Sequence, residues 1–144
     1  MARTEGSIDI ARPAEVVFDF VADMRHEPRY NPEMSSVELL TEGPIGVGSR
    51  FRAVTQARGR PLEMHVELTE VERATRVASV MHSDVIDVTG SMTFSPVPGG
   101  TRLRWSWDVR PMGWLRVLGP VIGWQGRRRE ERLWTGLKEY LEAS

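Results

Sequence analysis

The sequence contains no cysteine. Disulfides, thiolate metal centres and a cysteine nucleophile are therefore excluded, and a reducing compartment fits. Net charge is nearly absent too: 19 Lys and Arg stand against 20 Asp and Glu, a formal balance of -1. A chain so balanced has no broad field with which to draw nucleic acid or an anionic membrane. Long apolar runs are missing. Nothing approaches the roughly 18 residues a membrane helix needs, and the opening MARTEGSIDI lacks the apolar centre of a signal peptide. The expectation is a soluble, cytoplasmic protein with no nucleic-acid partner and no stable membrane insertion. Its 144 residues suit one domain spanning 1–144. A domain of that size buries about two thirds of the surface its unfolded chain exposes, so it needs no staple.

What is present is alternation. Ile8 and Ile10 alternate with Ser7 and Asp9 in a short first strand over 5–10. Pro13 suits a first helical position, where its missing N–H costs nothing. Ala14, Val17, Phe18 and Val21 follow it at helical spacing. This helix should end near Met24, ahead of HEPRYNP, whose prolines and asparagine favour turns or one short helical piece. About six strands follow. Phe51 and Ala53 share a face in SRFRAVTQ, and Leu62, Met64, Val66 and Leu68 alternate with Glu63, His65, Glu67 and Thr69. TRVASVMHS ends near His82, and Ile86, Val88, Gly90, Met92 and Phe94 share a face. Leu103, Trp105, Trp107 and Val109 oppose Arg102, Arg104, Ser106 and Asp108. The connections are too short for parallel crossovers, so neighbours are antiparallel.

Past Pro111 the period becomes helical for about thirty residues. Leu115, Leu118, Ile122, Gln125, Arg129, Leu133 (or Leu137) and Tyr140 fall near one stripe, with a kink or break expected at Gly119-Pro120. The fold class is α+β: a curved antiparallel sheet around a long C-terminal helix, with two short helices after the first strand.

Three stretches carry a resemblance. IDIARPAEVVFDFVADMRHEPRYNP combines a strand, a proline–alanine helix start and an aromatic-x-proline turn; GVGSRFRAV is a glycine-led strand entry; TGSMTFSPVPGGTRLRWSWDV leads into the long last helix. Together they cover nearly the whole chain, which resembles the START-like superfamily, also called SRPBCC, and within it the polyketide cyclase/dehydrase and lipid-transport branch. The resemblance implies a helix-grip fold, in which seven antiparallel strands enclose the C-terminal helix and leave a cavity between sheet and helix. Such proteins include hydrophobic-ligand carriers, ring-forming cyclases and ligand-sensing receptors, so the fold alone does not settle the activity.

The inward faces supply the candidate ligand wall. Phe51, Met64, Val66, Val80, Ile86, Val88, Met92, Trp105 and Trp107 come from strands, and Leu115, Leu118 and Ile122 from the last helix. Tyr30, Gln125 and Arg129 are the polar groups placed to reach the same space. Such a stripe also makes an ordinary core; the resemblance tips it toward a cavity. Each tryptophan N–H needs a partner if buried.

Catalytic chemistry is harder to place. His26, His65 and His82 lack metal-ligand spacing, and no metal is expected. His65 falls on the polar side of its strand, while His26 in the broken turn and His82 at a strand end lie within reach of a pocket mouth. GPIGVGS has no following Lys-Ser and opens no helix, so it reads as a turn, and no cofactor is expected. No Gly-x-Ser-x-Gly elbow is present. Asp84, Asp87 and Asp108 fall at a strand end or on outward faces, so no catalytic constellation closes. RRREER at 127–132 reads as a solvated helix face. Trp114, Trp124 and Trp134 cannot share one helical face, which leaves at least one for a homodimer interface or a pocket lip.

The expected function is binding or transport of a hydrophobic or aromatic small molecule, lipid- or polyketide-like. A cyclase or dehydratase using the same cavity, and a protein-interaction module without a small ligand, are the alternatives. A polar cluster converging on an open cavity favours the enzyme. A cavity plugged by Trp105 and Trp107 beside an exposed apolar patch favours the interaction module.

Overall fold

The computed structural model describes residues 2–57, 59–112 and 119–143, with backbone alone at 2, 57 and 119–129. The strands are β1 (Ala2–Ile10), β2 (Met34–Leu39), β3 (Arg50–Ala57), β4 (Arg60–Glu72), β5 (Arg76–His82), β6 (Ile86–Val97) and β7 (Gly100–Pro111). They form one seven-stranded antiparallel sheet in the order β1-β7-β6-β5-β4-β3-β2. Helix α1 (Ala14–Ala22) and a 3-10 helix (Met24–Arg29) connect β1 to β2, and α2 (Gly119–Glu142) follows β7. From β2 onward each strand lies beside its predecessor. Only β1 departs from chain order, pairing with β7 from Ala2↔Val109 to Ile10↔Thr101. This is the expected helix-grip arrangement of curved sheet and C-terminal helix.

Curvature has local causes. Register shifts between Leu68 and Glu70 in β4, and between Met34 and Ser36 in β2, are irregularities of the kind that bend and twist a strand. The outward face carries pairs such as Arg102–Asp9 and Arg76–Glu70. Exposed ion pairs of this type add little stability. The inward face does the packing. Val17, Phe18 and Val21 of α1, with Trp134, Leu137 and Leu141 of α2, close on Ile10, Phe51, Val66, Leu68, Val77, Phe94 and Leu103. Phe18 meets Phe94 edge-on at 5.1 Å between ring centroids. The spacing of Trp134, Leu137 and Leu141 is that of one helical face.

The C-terminal end of α2 is fastened to the corner between β1 and α1. The Ala11 N–H donates to Glu142 Oε2 at 2.8 Å, Lys138 Nζ donates to the Asp9 carbonyl at 2.7 Å, and Arg12 donates to the Leu141 carbonyl at 3.0 Å.

Coverage of the inner face is uneven. Phe51, Val66, Leu68, Val77, Phe94 and Leu103 are fully buried, whereas Leu62, Met81, Ile86, Val88, Met92, Trp107 and Val109 remain half-buried. The half-covered residues belong to the part of the face away from α1.

Several expectations need correction. Val80 points outward, between Glu67 and Thr89, and is 40% exposed. β5 is apolar on both faces, and its inward set is Val77, Ser79 and Met81, so composition alone did not reveal its orientation. β1 starts at Ala2, ahead of the expected 5–10, because its pairing with β7 continues through Thr4 and Arg3. Gly119 and Pro120 open the described part of α2, and the stretch before them, 113–118, lies outside the described residues, so the kink or break expected there does too. Trp134 is buried; Trp114 lies outside the described residues, as does the side chain of Trp124.

Two strand glycines make room for the large rings. Gly6 stands opposite Trp105 and Gly90 opposite Trp107. A methyl group at Gly6 would overlap the benzo edge of Trp105, and one at Gly90 would overlap the Ser106 carbonyl and the Trp107 ring. Gly90→Ala should therefore cost about 1–3 kcal/mol, the usual range for overpacking. The readout is a lower urea midpoint at unchanged slope. An unaffected midpoint would mean that the Trp107 ring moves aside freely.

Candidate functional site

The approach to the inner face is built from aromatic rings. His26 stacks on Phe20 at 4.5 Å, and Phe20 stacks on Tyr140 at 5.3 Å. Phe20 lies 5.8 Å from Tyr30, Tyr30 6.3 Å from Trp134, and Trp134 5.6 Å from Trp105. The series joins α1, the 3-10 helix, α2 and β7, running from partly exposed His26 to buried Trp105.

Local hydrogen bonds explain why the HEPRYNP segment folds as it does. Asp23 Oδ1 accepts from the Arg25 N–H at 3.1 Å and caps the 3-10 helix. The Tyr30 and Asn31 N–H groups donate to the Glu27 carbonyl, and Asn31 Oδ1 accepts from the Glu33 N–H at 3.1 Å. His26 Nδ1 lies 2.8 Å from the Phe20 carbonyl. This histidine thus fastens the turn to α1. Gly136 lets α2 touch the same segment: a Cβ there would sit 2.8 Å from the Tyr30 carbonyl oxygen.

Behind this wall lies a polar knot. Glu27 Oε2 accepts from Asn31 Nδ2 at 3.0 Å, and Trp134 Nε1 donates to Glu130 Oε2 at 2.6 Å. Burial pushes the Glu27 carboxyl up to about 7; the Asn31 hydrogen bond pulls it down and the Glu130 charge pushes it further up. Burial, then Glu27 and Glu130, raise the Tyr30 phenol well above its usual value. Tyr30 therefore stays a neutral hydroxyl at any physiological pH. Sequence reasoning missed both glutamates. The one legible clue was Glu130 lying four residues before Trp134 on a helix, and it was hidden inside a run read as solvated.

On the inner face, three buried polar atoms have no hydrogen-bond partner among the described residues: Thr4 Oγ1, Trp105 Nε1 and Trp107 Nε1. They are neighbours. Thr4 is the register partner of Trp107, and Gly6, two residues further along β1, is the partner of Trp105.

The expected ligand wall is only partly assembled. Met92 opposes Trp105, Gly90 opposes Trp107 and Val88 opposes Val109, so Val88, Met92, Trp105 and Trp107 form one continuous area. Tyr30 reaches it through Trp134. Phe51 and Val66 lie deeper, in the main core, and Met64 packs with Met34 and Ala53 in a separate small cluster. Leu115 and Leu118 lie outside the described residues, as do the side chains of Ile122, Gln125 and Arg129.

The other histidines face away from this area. His65 and His82 are register partners on the outward side; His82 Nδ1 meets Asp87 Oδ1, and His65 Nε2 lies 3.7 Å from Glu63. His82 therefore does not reach an inner pocket mouth. Together with Arg50, Glu67, Val80 and Thr89 they line an open concavity of about 390 Å³. A second, of about 440 Å³, lies between Pro28–Pro32 and the Gly136–Tyr140 turn of α2. Among the described residues no cluster of three or more His, Cys, Asp or Glu is arranged to hold a metal ion. Nor is any helix among them long and apolar enough to cross a membrane.

A family model described as polyketide cyclase / dehydrase and lipid transport matches residues 1–142. The chain belongs to that family. Solved structures agree on the fold. A START superfamily protein from Mycobacterium smegmatis superposes with a TM-score of 0.86 at 18% identity, covering 99% of both chains. A Thermus thermophilus protein gives 0.84 at 22% identity, covering 98% of this chain and 97% of its own. A Streptomyces aromatase/cyclase gives 0.72 at 16% identity, covering 98% and 91%. At these identities the likeness extends to the fold alone.

The Glu27 proton has a consequence for stability. The native carboxyl, at about 7, binds its proton more tightly than the ordinary value of 4.5 expected when unfolded. Stability should therefore fall as pH rises from 4.5 through about 7. Glu27→Gln keeps an oxygen for Asn31 and removes the titration. Relative to wild type it should gain on the order of 1–3 kcal/mol between pH 5 and pH 8, read from urea midpoints. Parallel pH profiles for the two proteins would place this carboxyl in solvent.

Proposed function

We propose that this protein binds a small hydrophobic, ring-bearing molecule, lipid- or polyketide-like, between the inner face of the sheet and α2. The single observation that carries the reading is the uneven cover of that face. Met81, Val88, Met92 and Trp107 are apolar and inward-facing yet only half-buried. A packed interior normally leaves no such residues short of neighbours. A ligand seated there would gain roughly 25 cal/mol per Å² of apolar surface removed from water, with a few polar groups fixing its orientation. The family's description, which includes lipid transport, supports the same class of cargo. Cytoplasmic residence and one domain over 1–144 belong to this reading.

A cyclase or dehydratase is the second reading, and Glu27 favours it. A carboxyl that keeps its proton near neutrality suits protonation of a leaving hydroxyl. A neutral Tyr30 nearby would help to polarise a carbonyl. The interaction-module reading has less support: Leu40, Val47 and Val80 are exposed among the described residues, but two of them lie in a concavity shared with charged side chains.

Native mass spectrometry of protein purified gently from its own host tests the first reading. A stoichiometric small-molecule increment, lost on denaturation, is the expected result. An empty protein that also ignores a broad panel of hydrophobic fluorescent probes would overturn it. A cargo released as its cyclised or dehydrated product would put the enzyme first. Val88→Phe offers a check from the protein side. If the space is open, the larger ring should fit without loss of stability and weaken probe binding about tenfold, near 1.4 kcal/mol. A drop of about 1–3 kcal/mol in stability would mean the space is already filled.

A further inference from the structure

We propose that Thr4, Trp105 and Trp107 form a subsite for a neutral carbonyl-type oxygen on a planar ring system. This rests on the ligand-binding reading above and specifies the chemistry of its cargo.

The first argument is hydrogen-bond bookkeeping. Thr4 is 2% and Trp105 5% exposed, and Thr4 Oγ1, Trp105 Nε1 and Trp107 Nε1 are all buried with no partner among the described residues. The large majority of buried side-chain polar atoms in folded proteins are bonded to protein or water. Three orphans side by side on one sheet face are unlike scattered packing faults; they call for a common partner.

The second argument is orientation. The edge of Trp105 nearest Gly6 includes Nε1, which would lie 3.1 Å from a Cβ there. Its N–H edge is thus turned over β1. Trp107 presents Cε3 to Gly90 on β6. Cε3 and Nε1 lie on opposite edges of an indole, so the N–H edge of Trp107 is turned away from β6. The glycines on either side allow both rings to lie this way. The three residues that carry these atoms are thus neighbours on the paired strands β1 and β7, with the Trp105 N–H over β1.

Chemistry then limits the partner. Indole N–H groups only donate, while a threonine hydroxyl can donate or accept. An ammonium or amide N–H on the ligand could be accepted only by the Thr4 hydroxyl and would leave both indole donors unpaired. A carboxylate would be buried without a counter-charge among the described residues, because Arg3, Arg102, Arg104 and Arg110 occupy the alternate, outward positions of β1 and β7. A neutral oxygen acceptor satisfies the donors at no such cost. Half-buried Trp107 also offers a flat surface beside it, suited to a ring.

Matched ligand pairs test this on the intact protein. Fluorenone and fluorene, benzophenone and diphenylmethane, and anthrone and dihydroanthracene differ by one carbonyl in place of a methylene. The ketone of at least one pair should bind about 3- to 10-fold tighter than its hydrocarbon, the size of one net hydrogen bond. In nitrogen-15 spectra, the indole signals of Trp105 and Trp107 should shift with the ketone and stay nearly unmoved with the hydrocarbon. Trp107→Phe assigns one signal and should reduce the ketone preference, provided its circular dichroism matches wild type. Ketone and hydrocarbon binding equally in every pair, with both indole signals indifferent to the carbonyl, would overturn the subsite while leaving apolar ligand binding intact. Failure of every compound to bind would overturn both.

Discussion

The inner face of a curved sheet cannot be both apolar and wet, and the rest of this molecule follows from how that face is covered. A flat sheet would offer its apolar side to one layer along its whole length. Here the strands curl, and the C-terminal end of α2 is fixed at the corner where Ala11, Arg12 and Asp9 bind Glu142, Leu141 and Lys138. Leu137, with no exposed surface, and Trp134 are pressed onto the core at that end. Cover is therefore complete near α1 and partial elsewhere. The half-buried stretch from Met81 through Val88 and Met92 to Trp107 arises from this asymmetry.

Much of the fold was legible because period-two alternation is the direct imprint of a half-buried sheet. The strands carrying Leu62 to Leu68, Ile86 to Phe94 and Leu103 to Val109 were read with the correct faces. β5 was misread at Val80 because it has apolar side chains on both sides, so alternation carries no orientation there. The candidate site was less legible. Trp105 and Trp107 could be assigned to the interior, but whether their N–H groups find partners depends on side chains from other strands. Gly6 and Gly90 looked like weak points in strands; their role as space for indole rings requires the register of both neighbours. The Glu27–Glu130 knot was invisible, since it joins a turn to a helix far away in the chain.

The two polar features stand on opposite sides of Trp134. On one side, Tyr30 and the Glu27 carboxyl are held by their own turn and by α2. On the other, Thr4, Trp105 and Trp107 carry buried polar atoms on the inner face. A carrier needs only the second set, to orient what it holds. An enzyme would have to bring the first set into contact with the cargo, and Trp134 stands between them.

The pairing of β1 with β7 also shapes how the chain comes to be folded. Every other strand has its neighbour next to it in sequence and can zip up locally as it emerges. β1 is made first, yet its sole partner is the last strand, with Ile10 meeting Thr101. Closing so long a loop delays the reward of pairing. During synthesis β1 therefore leaves the ribosome unpaired and waits until β7 has been made. The C-terminal end of α2, anchored at Ala11 and Asp9, joins the same late-closing corner.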